Sequence, residues 1–126
     1  MASITLYTQN ILEDGTVTVT GTADTGYPES RLYDRATALK WKDTVTEAKT
    51  FLVDYGSAIE IDFLAVANHN FNGEDMQFQY STDNFSADTN DAVTDWTQGD
   101  NNLITKSMGT SQTKRYWRVT VSSMTD

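Results

Sequence analysis

The sequence predicts an all-β domain, and three features carry the prediction. Thr, Val, Tyr and Phe, the residues that fit a pleated and half-buried surface, are frequent. Short segments alternate apolar and polar side chains with the two-residue period of a strand, most clearly Thr16-Val-Thr-Val-Thr20 and Met76-Gln-Phe-Gln-Tyr80. No long stretch repeats apolar residues at helical spacing. At 126 residues the chain fits one domain spanning residues 1–126, large enough to bury roughly two thirds of its unfolded surface without disulfides or metals. No internal repeat or linker-like stretch interrupts it.

In chain order, Ile4–Tyr7 and Thr16–Thr20 read as two strands, with the turn signal Asp14-Gly15 between them. Residues 1–20 are therefore an N-terminal strand pair or a docking segment. Gly21–Lys49 is rich in turn formers, and Pro28 pushes Tyr27 toward extended geometry, so this part reads as a long ordered loop. Its apolar members, Tyr27, Leu32, Tyr33, Leu39 and Trp41, are expected to plug one end of the core, and Thr44–Lys49 to form a turn of helix. Thr50–Asp54 reads as a strand ended by Tyr55-Gly56, and Ile59–Ala67, apolar on both faces near its end, as a central strand. Met76, Phe78 and Tyr80 share one face of the next strand, which turns at Ser81–Asn84. Asp83–Asn102 is acidic and loop-like, pinned by Val93 and Trp96. Leu103–Met108 and Arg115–Val121 complete the strands. In the last, Trp117, Val119 and Val121 face one way and Tyr116, Arg118 and Thr120 the other.

Nine basic and eighteen acidic residues give a net charge of −9, which removes the electrostatic footing that nucleic acids and anionic membranes require. Between Thr50 and Thr105 there are ten carboxylates and no Lys or Arg, a distribution read first as solvation. Cysteine is absent, so thiol chemistry is excluded and nothing ties the chain to an oxidising compartment. The opening Met-Ala-Ser-Ile-Thr-Leu-Tyr lacks the pattern of a signal peptide, and the longest apolar run, Phe63–Ala67, is too short to span a bilayer as a helix. Synthesis and folding in a cytoplasm are expected.

Three stretches in a fixed order go further: Tyr27–Asp34 with Trp41 seven residues on, Ile61-Asp-Phe-Leu-Ala-Val-Ala-Asn-His-Asn70, and Arg115-Tyr-Trp-Arg-Val-Thr-Val121. With Asp54-Tyr55-Gly56 and Gln79-Tyr-Ser-Thr-Asp83, they resemble the discoidin, or galactose-binding-like, modules over roughly Thr20–Ser122. The resemblance implies an antiparallel β-sandwich of jelly-roll type that binds or assembles rather than catalyses. The Tyr-Pro-x-Ser-x-Leu-x-Asp loop and the strand ending in His69-Asn70 are similar to short members encoded among tailed-bacteriophage structural genes. That implies a virion protein assembled in the host cytoplasm.

Many such modules hold calcium in the first loop. Asp34 is kept here, but Ala36 and Leu39 stand where a second acid and a hydroxyl would fall, so no metal is expected and Asp34 is read as capping a turn or pairing with Arg31 or Arg35. Asp88-Thr-Asn-Asp91 lacks the Gly and Glu of an EF-hand. His69 is the only histidine, with no nucleophile motif to serve, and is expected to bond loop backbone through its ring nitrogens. No cofactor fingerprint occurs, and the chain is expected not to be an enzyme. Loop aromatics at one end of the sandwich are where sugars stack in the family. Tyr33, Phe85 and Trp96 are therefore the candidate contacts for a glycan or a protein partner, while Trp41 is expected to seal the core.

The first expectation is a non-catalytic virion structural protein docked to capsid or tail subunits, such as a tail, baseplate or neck accessory or a capsid decoration, by an apolar patch and edge strands, with homo-oligomers possible. The alternative is a carbohydrate-binding module for host-surface glycan. An acidic hydrolase would need a cleft carboxyl of raised pKa, and nothing in the sequence points to one.

Overall fold

The computed structural model describes residues 14–20, 47–67 and 69–122. Among these the chain forms β1 (Thr16–Val19), β2 (Lys49–Val66), β3 (Asp75–Ser81), β4 (Asn90–Asp91), β5 (Trp96–Thr97) and β6 (Ile104–Val121). All pairings are antiparallel, in the order β1-β2-β6-β3-β4, with β5 also on the free edge of β3. There is no helix among the described residues.

The two strands of 18 residues, β2 and β6, pair from Lys49↔Val121 to Val66↔Ile104. Two register shifts interrupt the ladder. Between the pairs Asp54↔Tyr116 and Ile59↔Lys114, residues 55–58 of β2 oppose Arg115 alone; between Ile61↔Gln112 and Phe63↔Ser107, residues 108–111 of β6 oppose Asp62 alone. Each excursion contains a glycine at positive φ, Gly56 at 73° and Gly109 at 76°, a conformation that other residues enter only with strain. The Asp54 carboxylate accepts the Gly56 N–H at 2.8 Å and clamps Arg115 through two bonds of 2.7 and 3.0 Å.

These bends fold the ribbon back on itself. An extended strand of this length would be roughly 60 Å long, yet Ile104 and Val121, near opposite ends of β6, pack in one cluster with Phe71 and Met76. In the same way Ile61, from the far half of β2, packs with Phe78 and Trp117. The far halves of β2 and β6 thus form a second layer over the first, which consists of β1, the near halves of β2 and β6, and β3 with its edge strands. The core lies between the layers. Trp117 sits at its centre, 5.5 Å from the Phe78 ring and 5.3 Å from that of Tyr80, and its indole N–H donates to the Lys114 carbonyl at 2.9 Å.

The alternation in β1, β3 and the end of β6 matches the expected strands. Four expectations are corrected. Tyr55-Gly56 bends a continuous strand instead of ending it, and Leu103–Met108 and Arg115–Val121 belong to one strand. Lys49 begins β2 instead of closing a helical turn. β1 pairs with β2. The acidic stretch after Asp83 contains two short edge strands, because β3 still has an unpaired edge to satisfy there. Tyr27, Tyr33, Asp34 and Trp41, and most of the N-terminal segment, lie outside the described residues.

Candidate functional site

The first layer turns its apolar face to the core and a polar face away from it. Register assigns that outer face to Gln77, Gln79 and Ser81 of β3, and to Tyr116, Arg118 and Thr120 of β6 beside them. Its edge is lined by carboxylates of β3, of β4 and of the residue before β5. Asp95 accepts from the Gln77 amide at 2.8 Å, Asp91 from the Gln79 amide at 2.8 Å, and Asp75 from the Thr97 hydroxyl at 2.6 Å. An open groove of about 410 Å³ runs along this edge, lined by Asp75, Gln77, Asp95, Thr97, Thr120 and Ser122, with Met76 and Trp96 at its side.

Farther along the same face a fixed polar chain crosses β6, β3 and β4. Arg118 Nε donates to Gln79 Oε1 at 2.9 Å, and Gln79 Nε2 donates to Asp91 Oδ1. Gln79 is only 6% exposed, so its amide is held by both partners and cannot swing. The guanidinium of Arg118 lies 3.9 Å from the centre of the Phe85 ring, a cation–π contact. Burial pushes its pKa below the usual value.

Phe85 reaches that position by an unusual turn. Asn84 and Phe85 both have positive φ, 58° and 62°, and neither is glycine. Ser81, fully buried, holds the turn by accepting the Asp83 and Phe85 N–H groups at 3.1 and 2.9 Å. The Asp83 carboxylate accepts from the N–H groups of Ser86, Ala87 and Asp88. These bonds, led by that of Ala87, hold the Asp83 carboxyl below its usual range. Asp88 is lowered in the same way by Thr82 and Asn90.

Of the residues singled out from the sequence, Phe85 thus stands half-buried on the outer face. Trp96 lies at the groove wall but packs against both core clusters. Its ring carries Lys106 Nζ at 4.4 Å, and its N–H donates to Gln98 at 3.0 Å. Tyr33 lies outside the described residues. His69 bridges two loops. Its Nδ1 accepts the Phe71 N–H at 3.1 Å, which assigns the proton to Nε2, bonded to the Asn102 carbonyl at 2.5 Å. Among the described residues no group of three or more His, Asp or Glu side chains is arranged to hold a metal. The residues missed at the sequence level, Gln79 and Asp91, carried a partial signal: Gln79 alternates with the apolar Met76, Phe78 and Tyr80, which assigns it to the opposite face.

No protein-family model and no curated protein sequence matches the chain. Solved structures do. Chitosan-binding module 1 from a chitosanase/glucanase of Paenibacillus sp. IK-5 superposes with a TM-score of 0.75 at 20% identity, over 91% of this chain and 87% of the module. The family 32 carbohydrate-binding module of Clostridium perfringens NanJ, solved with galactose, gives 0.69 at 13% identity over 90% of both chains. A second C. perfringens module, CpGH89CBM32-5, solved with GalNAc-β-1,3-galactose, gives 0.68 at 14% identity over 90% and 92%. The fold is the galactose-binding, discoidin-like β-sandwich. The expectation of a virion structural protein docked to capsid or tail subunits is overturned: these three modules, which superpose over 90–91% of this chain, are carbohydrate binders.

Proposed function

We propose that the chain is a non-catalytic carbohydrate-binding module. The observation that carries this reading is the end-to-end likeness to modules solved as glycan binders, in which nearly the whole of each chain superposes. The chemistry of the outer face supports it. Amides, hydroxyls, carboxylates and a guanidinium beside a half-exposed ring are what sugar hydroxyls and C–H faces need.

Two features speak for binding without turnover. Both ring nitrogens of His69 are engaged with loop backbone, so it has no free site from which to take a proton. Where described carboxylates depart from the usual value, as at Asp54, Asp83, Asp88 and Asp100, they are lowered, whereas a glycosidic general acid must be raised.

The test is titration of the isotope-labelled protein with galactose, GalNAc-β-1,3-galactose and chitotriose, followed by amide chemical shifts, with mass spectrometry of the sugars after incubation. Saturable shifts with the sugars left intact are expected. No shifts with any glycan of a broad panel, or cleavage of one, would overturn the reading.

A further inference from the structure

The outer face holds a cation without a counter-charge. Among the described residues no carboxylate pairs with Arg118. Its Nε is taken by Gln79, and its terminal nitrogens have no protein acceptor there. A half-buried guanidinium with unspent donors is costly to keep unless something meets it. At the other end of the same chain, Asp91 gives one oxygen to Gln79, and its second oxygen has no donor among the described residues. Gln79, almost fully buried between them, fixes their separation, and Phe85 covers the guanidinium face. A donor and an acceptor are therefore held on either side of Gln79, on the two strands that flank β3. Gln77 and Thr120, which line the groove, stand two residues along from Gln79 and Arg118 on the same face.

Resting on the carbohydrate-binding reading, we propose that Arg118 and Asp91 form the sugar-reading pair of this module, taking two hydroxyls of a non-acidic pyranose seated over Gln79 on the outer face. Arg118 donates to one hydroxyl oxygen and Asp91 accepts from the other hydroxyl. Gln79 and Phe85 are positioning residues. An acidic sugar is disfavoured, because Asp91 is itself one of the pair, Asp75 and Asp95 stand on the same face, and the whole chain carries −9. The pair lies on the sheet face, away from Tyr55–Ala58 and Met108–Ser111, where the ribbon bends.

Titration of the intact protein with galactose, GalNAc-β-1,3-galactose, chitotriose and glucuronate tests this. The variants are Arg118→Lys, Asp91→Asn and Phe85→Leu, with Ser111→Ala in the other layer as control and circular dichroism melts to verify folding. Each of Arg118→Lys and Asp91→Asn is expected to weaken the best-bound non-acidic sugar about tenfold, the worth of one charge-assisted hydrogen bond. Phe85→Leu should weaken it less, and Ser111→Ala should leave it unchanged. Asp91 is exposed, so its variant stays informative if that at Arg118 fails to fold. If the wild type binds a sugar and both variants bind it within about twofold, the assigned pair is wrong while the glycan reading stands. Glucuronate as the best ligand would overturn the sugar class. If the wild type binds no sugar at all, the carbohydrate-binding reading falls and the inference with it.

Discussion

Replacing Ile61 by Ala tests the doubling of the β2–β6 ribbon, on which the whole sandwich depends. Ile61 is 7% exposed because the far half of β2 lies over Phe78 and Trp117; in a straight ribbon it would have no such cover. The substitution removes three carbons, worth roughly 2.4 kcal/mol at about 0.8 kcal/mol each. The cavity left beside Trp117 raises the cost to about 3 kcal/mol. At about 4 °C per kcal/mol for a domain of this size, Tm should fall by about 12 °C. Asp62, the next residue, is exposed, and Asp62→Ala should stay within about 0.5 kcal/mol of wild type. Urea unfolding followed by tryptophan fluorescence reads both, since Trp117 is buried against the altered site. A loss below about 1 kcal/mol for Ile61→Ala, or equal losses for the two variants, would refute the folded-back ribbon.

The remaining predictions concern the packing of β1, one buried phenol and the turn that carries Phe85. A Cβ on Gly15 would lie 2.4 Å from Val53 Cγ1 and 3.1 Å from the Tyr55 ring, so Gly15→Ala should cost about 1–3 kcal/mol by overpacking; an unchanged urea midpoint would show that Val53 yields freely. Burial, with the Asp14 carboxylate adding to it, pushes the Tyr55 phenol up to about 12 from 10.0. The folded state holds this proton longer than the unfolded one, so the stabilisation is complete below pH 10 and drains away as pH rises from 10 to 12. Ultraviolet difference titration of wild type against Tyr55→Phe should assign a phenolate that forms late to Tyr55; a difference spectrum that rises near the ordinary value of 10.0 would contradict it. Asp83→Ala should leave the N–H groups of Ser86, Ala87 and Asp88 without their acceptor. Their hydrogen exchange should quicken while that of Phe78 stays slow, and unchanged rates would mean that the turn stands without Asp83.

What was legible in the sequence follows from what side-chain alternation records. It marks which face of a strand is buried, so β1, β3 and the last third of β6 could be read, and with them the outward direction of Arg118 and Thr120. It does not record a bend. Tyr55-Gly56 looks the same whether the chain stops or folds back, and only the matching excursion at Gly109 in the partner strand distinguishes the two. β4 and β5 are two residues each, too short for any period, and exist because β3 offers an open edge. Phe71 lies outside every strand, where no alternation marks it as buried, yet it is core, drawn in where its N–H bonds His69 and their rings stack 4.9 Å apart. At the candidate site, aromatic type alone singled out Phe85 and Trp96. Separating a ring on the outer face from one packed into the core requires the pairing of Trp96 with Met76 and the turn at Asn84. The chain from Arg118 to Asp91 spans 27 positions and depends on two pairings of Gln79, one on each edge of β3.

The turn at Asn84-Phe85 links the stability of the fold to its binding face. Two consecutive non-glycine residues at positive φ cost of order 1–3 kcal/mol each, and a half-buried Arg118 with no carboxylate partner among the described residues adds to that cost. Glycine at either position would relieve the backbone, and a carboxylate near Arg118 would relieve the charge. The bonds that Ser81 and Asp83 make do not remove the strain; they hold the chain in it. What the strained geometry obtains is one arrangement, the Phe85 ring over the guanidinium of Arg118. A turn serving only to connect β3 to β4 would have no use for that arrangement. Strain concentrated beside a cation that has no carboxylate partner among the described residues, on the polar face of a fold shared with glycan binders, is the pattern expected of a surface completed by its ligand.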